Sequence, residues 1–151
     1  MELFPDKTIK EYMEYKNANP NHFNWWSYMN IKADLQTALA FAKFYYPEIV
    51  EEQGYFLLKD KYTENLLEDW KAECQGDKNC VEKMMNMYEL KDFFHINVNE
   101  QENEVVQTKI LGDVIQLFWS MSFNHRFPKR NIIVEIYEEH ESLFITVYEN
   151  C

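Results

Sequence analysis

Apolar positions recur along this chain with two different spacings. Between Asp6 and Asn17, Ile9, Tyr12, Met13 and the stem of Lys16 form one stripe. The stripe predicts a short helix that begins near Pro5 and ends at Asn19-Pro20-Asn21. A stronger stripe follows at Ile31, Leu35, Ala38, Leu39, Ala42 and Tyr46, which read as the core face of one helix stopped by Pro47. Ala33, Ala38, Ala40 and Ala42 favour that helix by propensity. Ile49–Glu51 and Tyr55–Leu58 then read as two short strands of a hairpin, or as one strand kinked at Gly54.

A further helix is expected from Thr63 to Cys74, with Thr63 as N-cap, Gly76 past its end, and Leu66, Leu67 and Trp70 on its buried side. Asp77 or Asn79 caps another, running to Phe94 and burying Val81, Met84, Met85, Tyr88 and Phe93. The polar stretch Asn97–Asn103 reads as a loop. The longest helix is expected over Glu104–Asn124, with Val106, Ile110, Val114, Leu117 and Met121 repeating every three or four residues and Leu111, Ile115 and Phe118 widening the face. At the C-terminus the spacing changes to two. Ile132, Val134 and Ile136 alternate with their neighbours, as do Leu143, Ile145 and Val147, and the short connection Glu138–Ser142 predicts an antiparallel hairpin. The sum is one α+β domain over residues 1–151, with about five helices packed on a small antiparallel sheet built from the terminal hairpin and the Ile49–Leu58 region.

Composition narrows what such a domain can do. Its 151 residues suffice for a single core, and an aromatic content of 17% argues against disorder. Gly54, Gly76 and Gly112 are the only glycines and do not cluster, which removes the glycine-rich phosphate and dinucleotide loops. Twenty-six acids against fifteen Lys and Arg give a net charge of −11. Such a surface repels nucleic-acid phosphates and anionic membrane, and it suits a basic protein partner. The competing reading is that the charge serves solubility alone. The polar N-terminus lacks the apolar core of a signal peptide, and no run is long enough to span a membrane. The expected setting is therefore cytoplasmic. Cys74, Cys80 and Cys151 read as cytosolic thiols, with a Cys74–Cys80 bond open only to an oxidising medium.

Catalytic signatures are scarce. His22, His95, His125 and His140 lie outside helical ligand spacing, and neither CxxC nor HExxH occurs, so no metal and no cofactor are expected. None of the four serines sits in GxSxG. Cys80 near a helix start, and the Glu138-Glu139-His140-Glu141 cluster, are the residual candidates for an enzyme. Neighbours on a strand point to opposite faces, so adjacency alone does not make a catalytic pair. His125, Arg126, Lys129 and Arg130 follow the longest helix and offset its macrodipole. Trp25 and Trp26 cannot both face inward, which leaves Trp26 as a candidate interface anchor. On the terminal hairpin, Glu135, Glu138, Glu139 and Glu141 surround Tyr137, a mixture suited to a cationic surface. Its rival role is to keep the strand edge from aggregating.

The run Ala38-Leu39-Ala40-Phe41-Ala42-Lys43-Phe44-Tyr45-Tyr46-Pro47-Glu48-Ile49-Val50-Glu51, continuing to Gly54-Tyr55-Phe56-Leu57, is similar to small bacterial proteins in which a helix ends at an aromatic-Pro pair and enters a strand. Leu117-Phe118-Trp119 and the Val134–Tyr148 hairpin share that likeness. In its small, acidic, ring-rich and motif-poor character the chain resembles immunity proteins of bacterial polymorphic or contact-dependent toxin systems. The resemblance implies a non-catalytic protein that binds and neutralises a cognate toxin domain, often a basic nuclease. It carries over no functional residue. The alternatives are a phage-type inhibitor that mimics DNA, a small enzyme, and a subunit of an assembly that presents an apolar patch.

Overall fold

A computed structural model of the chain describes residues 1–95 and 103–151. Among them are α1 (Lys10–Ala18), α2 (Trp25–Lys32), α3 (Leu35–Tyr45), α4 (Glu64–Glu73), α5 (Lys78–Met85) and α6 (Glu104–Arg126). The strands are β1 (Ile49–Glu52), β2 (Tyr55–Leu58), β3 (Tyr88–Glu89), β4 (Ile132–Glu139) and β5 (Ser142–Glu149). The fold is α+β with a C-terminal hairpin, as the two spacings predict.

Capping sets the helix starts. Thr63 Oγ1 accepts from Leu66 N–H at 3.2 Å, and Asp77 Oδ1 accepts from Cys80 N–H at 2.7 Å. Asp34 accepts from Thr37 N–H at 2.8 Å, which starts a new helix inside the segment expected to be continuous. Ile31 therefore lies on α2 and Leu35 on α3. The helix expected to run to Phe94 stops at Met85, because Tyr88 and Glu89 pair with Ile145 and Phe144 of β5. Most of the expected Asn97–Asn103 loop lies outside the described residues.

The strands form two sheets rather than one. β1 and β2 make a hairpin turned at Gln53-Gly54, where both residues have positive φ. The order in the second sheet is β3-β5-β4. One face of the terminal hairpin, with Ile132, Val134, Ile145 and Val147, packs with Ile115, Trp119 and Phe123 of α6. The other face meets α5, where Thr146 Oγ1 donates to the Lys83 carbonyl at 2.7 Å. Gly112 lets the Leu90 side chain lie directly on α6, since a Cβ there would stand 2.5 Å from Leu90 Cδ1.

Two buried polar residues, Glu82 of α5 and Asn86 at its C-cap, join the sheets. Glu82 accepts from Phe56 N–H at 2.8 Å through Oε1 and from Glu149 N–H at 2.7 Å through Oε2. Asn86 accepts from Leu58 N–H at 2.7 Å and donates to the carbonyls of Phe56 and Val147, each at 2.8 Å. Backbone groups of β2 and β5 that no third strand reaches are thereby satisfied.

Cys74 and Cys80 are bonded to each other, against the reading of them as thiols. The bond ties the end of α4 to the first turn of α5, across a tight connection in which Gln75 and Gly76 both have positive φ. Cys151 is free and exposed.

Candidate partner-binding surface

The terminal hairpin turns on two residues, His140 and Glu141, at φ 50° and 64°. Two successive left-handed residues match the twist of a tight hairpin, but neither is glycine or asparagine, the residues that take this backbone at least cost. The turn projects Glu138 and Glu139 from the last positions of β4 and Glu141 from the turn itself, all exposed. Among the described residues no Lys or Arg pairs with these three carboxylates; His140 Nε2 lies 3.8 Å from Glu139.

The rest of the expected surface is arranged differently. Glu135 is paired with Lys83 at 3.3 Å, and the same ammonium sits 4.4 Å from the centre of the Tyr148 ring. Tyr137 is half-buried. Its ring stacks on Phe144 with centroids 5.4 Å apart, and its hydroxyl points at Met87 Sδ at 2.9 Å. Burial raises its pKa, with Glu139 and Glu135 adding to the shift. Glu149 belongs to a framework. Arg130 donates to both its oxygens at 2.8 Å and also reaches Glu51, while Lys78 donates to it at 2.8 Å. The hairpin's unneutralised charge is thus concentrated at Glu138, Glu139 and Glu141.

Trp26 stands on a different element. Trp25 points inward, stacked on Tyr12 with centroids 3.6 Å apart and its Nε1–H on Asp6 at 3.0 Å. Trp26 takes the opposite side of α2 and is 75% exposed.

A cleft of about 550 Å³ opens between the first helices and α6. Ile9, Tyr45, Phe94, Ile110, Leu111 and Val114 give it apolar walls. At its polar side Glu11 accepts from Tyr28 Oη at 2.9 Å and from Lys32 Nζ at 2.8 Å. Lys32 and Tyr28 hold the Glu11 carboxyl below its usual value. Burial, and then the Glu11 hydrogen bond, push the Tyr28 phenol up to about 12. Both shifts run away from neutral pH, whereas a general acid or base works best with a pKa near it. Periodicity did not reveal this triad, because Glu11, Tyr28 and Lys32 come from two helices.

Helix α3 reverses one expectation. The stripe read as core is exposed, with Leu35 at 84% and Leu39 at 71%, and Ala38, Ala42 and Tyr46 beside them. The helix packs instead through the rings of Phe41, Phe44 and Tyr45, which meet Phe93, Phe94 and Phe118. On α6, Leu117 and Met121 of the expected core stripe likewise face outward, and Val106 is exposed too. Rings bury more surface per residue than leucines, and α3 carries an apolar row on two sides, so the ring side was covered.

The remaining chemical candidates are occupied by structure. Cys80 is disulfide-bonded and supplies no thiolate. Arg126 donates to the Pro47 carbonyl at 2.8 Å and lies 4.0 Å from the centre of the Tyr46 ring, which fastens α6 to the end of α3. Among the described residues no three His, Cys, Asp or Glu side chains converge as a metal ion would require, and no helix is long and apolar enough to cross a membrane. Comparison with known proteins brings no match among family models, curated proteins or solved structures.

Proposed function

We propose that the chain is a non-catalytic acidic binding protein that docks a basic protein partner through the tip of its terminal hairpin, as an immunity protein docks a cognate toxin domain. One observation carries this reading: Glu138, Glu139 and Glu141 stand together at a tight turn with no Lys or Arg partner among the described residues, while Glu135 further along β4 and Glu149 at the opposite end of the hairpin are paired with cations. Complementary charge speeds encounter and fixes register, and a rigid hairpin holds the charges in place. The unfavourable backbone of His140 and Glu141 supports it, since such strain persists where a residue's chemistry outweighs its fit. Trp26 remains a separate candidate anchor on α2.

The cytoplasmic setting expected from sequence is part of the proposal, and the Cys74–Cys80 bond weighs towards an oxidising one. The test is titration of the oxidised chain, and of the chain in reductant, with a basic nuclease domain of a contact-dependent toxin at two salt concentrations. Binding should weaken as salt rises and as Glu138→Gln, Glu139→Gln and Glu141→Gln are combined. Absent binding, or binding indifferent to salt, defeats the electrostatic mechanism. Equal binding to several unrelated DNA-binding proteins would turn the reading towards DNA mimicry.

A second reading, that of a subunit in an assembly, is favoured by the exposed apolar row on α3.

A further inference from the structure

We infer that the exposed face of α3 is where two copies of this chain meet. A helix apolar on all sides is normally covered on all sides. Helix α3 has polar side chains only at Gln36, Thr37, Lys43 and the hydroxyl of Tyr45, yet the fold covers only its ring-bearing side. Leu35, Ala38, Leu39, Ala42 and Tyr46 follow one another at helical spacing and leave a row of leucine, alanine and tyrosine in water. Leu117, Phe118 and Met121 of α6 are exposed apolar side chains as well, and Phe118 meets Tyr45 of α3 with ring centres 5.2 Å apart.

Charge selects the occupant. The chain carries 26 acids, but none falls between Leu35 and Pro47 and none between Val114 and Phe127. A basic partner has nothing to find there. Two copies at net −11 repel each other over most of their surface, so a self-contact is confined to a face poor in carboxylates; this row holds none, with Asp34 and Glu48 only at its two ends and Glu48 paired with Lys43 and Lys59. The row is also complementary to itself. If two α3 helices cross antiparallel about a two-fold axis, Leu35 of one copy faces Tyr46 of the other, and Leu39 faces Ala42. Bulky Leu39 then meets the small Ala42, and each pairing occurs twice, once on either side of the axis, as an isologous contact requires. Ala38 and Ala42 let the backbones approach.

The test is sedimentation velocity on the full chain across the micromolar range at low and high salt. The expected species has twice the 18.4 kDa mass of one chain, and salt strengthens it by screening the mutual repulsion. Salt weakens the proposed toxin contact, so the two interactions fail separately. Leu39→Glu and, independently, Leu35→Glu should each give a monomer with an unchanged circular dichroism spectrum, because both side chains are exposed in the single copy. Glu138→Gln should leave the dimer intact. A wild-type chain that stays monomeric throughout the range, or a dimer that survives both α3 variants, overturns the inference; a monomer that instead captures the apolar face of a different protein does so too.

Discussion

Glu82 on α5 and Asn86 at its C-cap lie four residues apart, fully buried, and between them hold five backbone groups of β2 and β5. Burial raises the Glu82 pKa, and the N–H groups of Glu149 and Phe56 act against that shift. Two N–H donors converge on its two oxygens, an arrangement that only a carboxylate satisfies on both sides.

Removal of either side chain should therefore cost more than its size suggests. Asn86→Ala leaves Leu58 N–H and the carbonyls of Phe56 and Val147 unpaired in the core. At ~1–3 kcal/mol for each buried group left unsatisfied, the loss should exceed about 2 kcal/mol. Glu82→Gln keeps the shape but turns an amide N–H₂ towards one of the two donors, and should cost less than Glu82→Ala. Urea unfolding followed by tryptophan fluorescence gives all three values.

Stability should fall in acid through Glu149. Hydrogen bonds from Arg130 and then Lys78 hold its carboxyl down at about 2, against an ordinary value of 4.5. The folded carboxylate remains ionised where the unfolded one has already taken up a proton. Its contribution is complete above the unfolded value and disappears as pH drops from about 4.5 towards about 2, an effect on the order of 2–3 kcal/mol. Glu82 has the opposite sign: its raised pKa withdraws stability as pH climbs through the unfolded carboxyl range. Stability curves of wild type and Glu149→Gln should converge at the acid end, separate as pH rises from about 2 to about 4.5, and run parallel above that.

Reduction of the Cys74–Cys80 bond should lower stability by about 2 kcal/mol, the chain-entropy value for so short a loop. Thiol titration should find one reactive group in the native chain, Cys151, and three after unfolding in reductant. Three reactive thiols in the untreated native protein would show that the bond does not form.

The hairpin turn should exchange stability for binding. Replacing His140 and Glu141 by Asn and Gly relieves two left-handed residues, each costing roughly 1 kcal/mol. The melting temperature should rise by several degrees while binding to a basic domain weakens. A turn variant that binds as tightly as wild type would assign Glu141 to the backbone alone.

The elements whose burial pattern is local were legible from sequence. Thr63 and Asp77 announce their helices because a cap is a contact across three residues, and the terminal hairpin shows because each strand has one face in the core. What escaped depends on distant partners. The Ile31–Tyr46 stripe is periodic, but periodicity identifies an apolar face without saying what covers it, and the adjoining row of Phe41, Phe44 and Tyr45 found Phe93, Phe94 and Phe118 instead. Tyr88 and Glu89 read as helical until β5 is there to pair with them. Glu82 and Asn86 left a faint signal, two polar residues in line with Val81 and Met85 on an amphipathic helix. Of the expected binding residues, Glu138, Glu139 and Glu141 are placed together, Glu135 and Tyr137 are engaged by Lys83 and Phe144, and Trp26 lies on another element.

Side chains standing where a third strand would run have a consequence for how this molecule fails. The edges of β2 and β5 that face α5 are closed to any incoming chain only while Glu82 and Asn86 occupy them. If α5 peels away, two ready templates for amyloid-like growth are uncovered at once. Damage to this helix should therefore appear as insoluble protein as well as a lower unfolding midpoint.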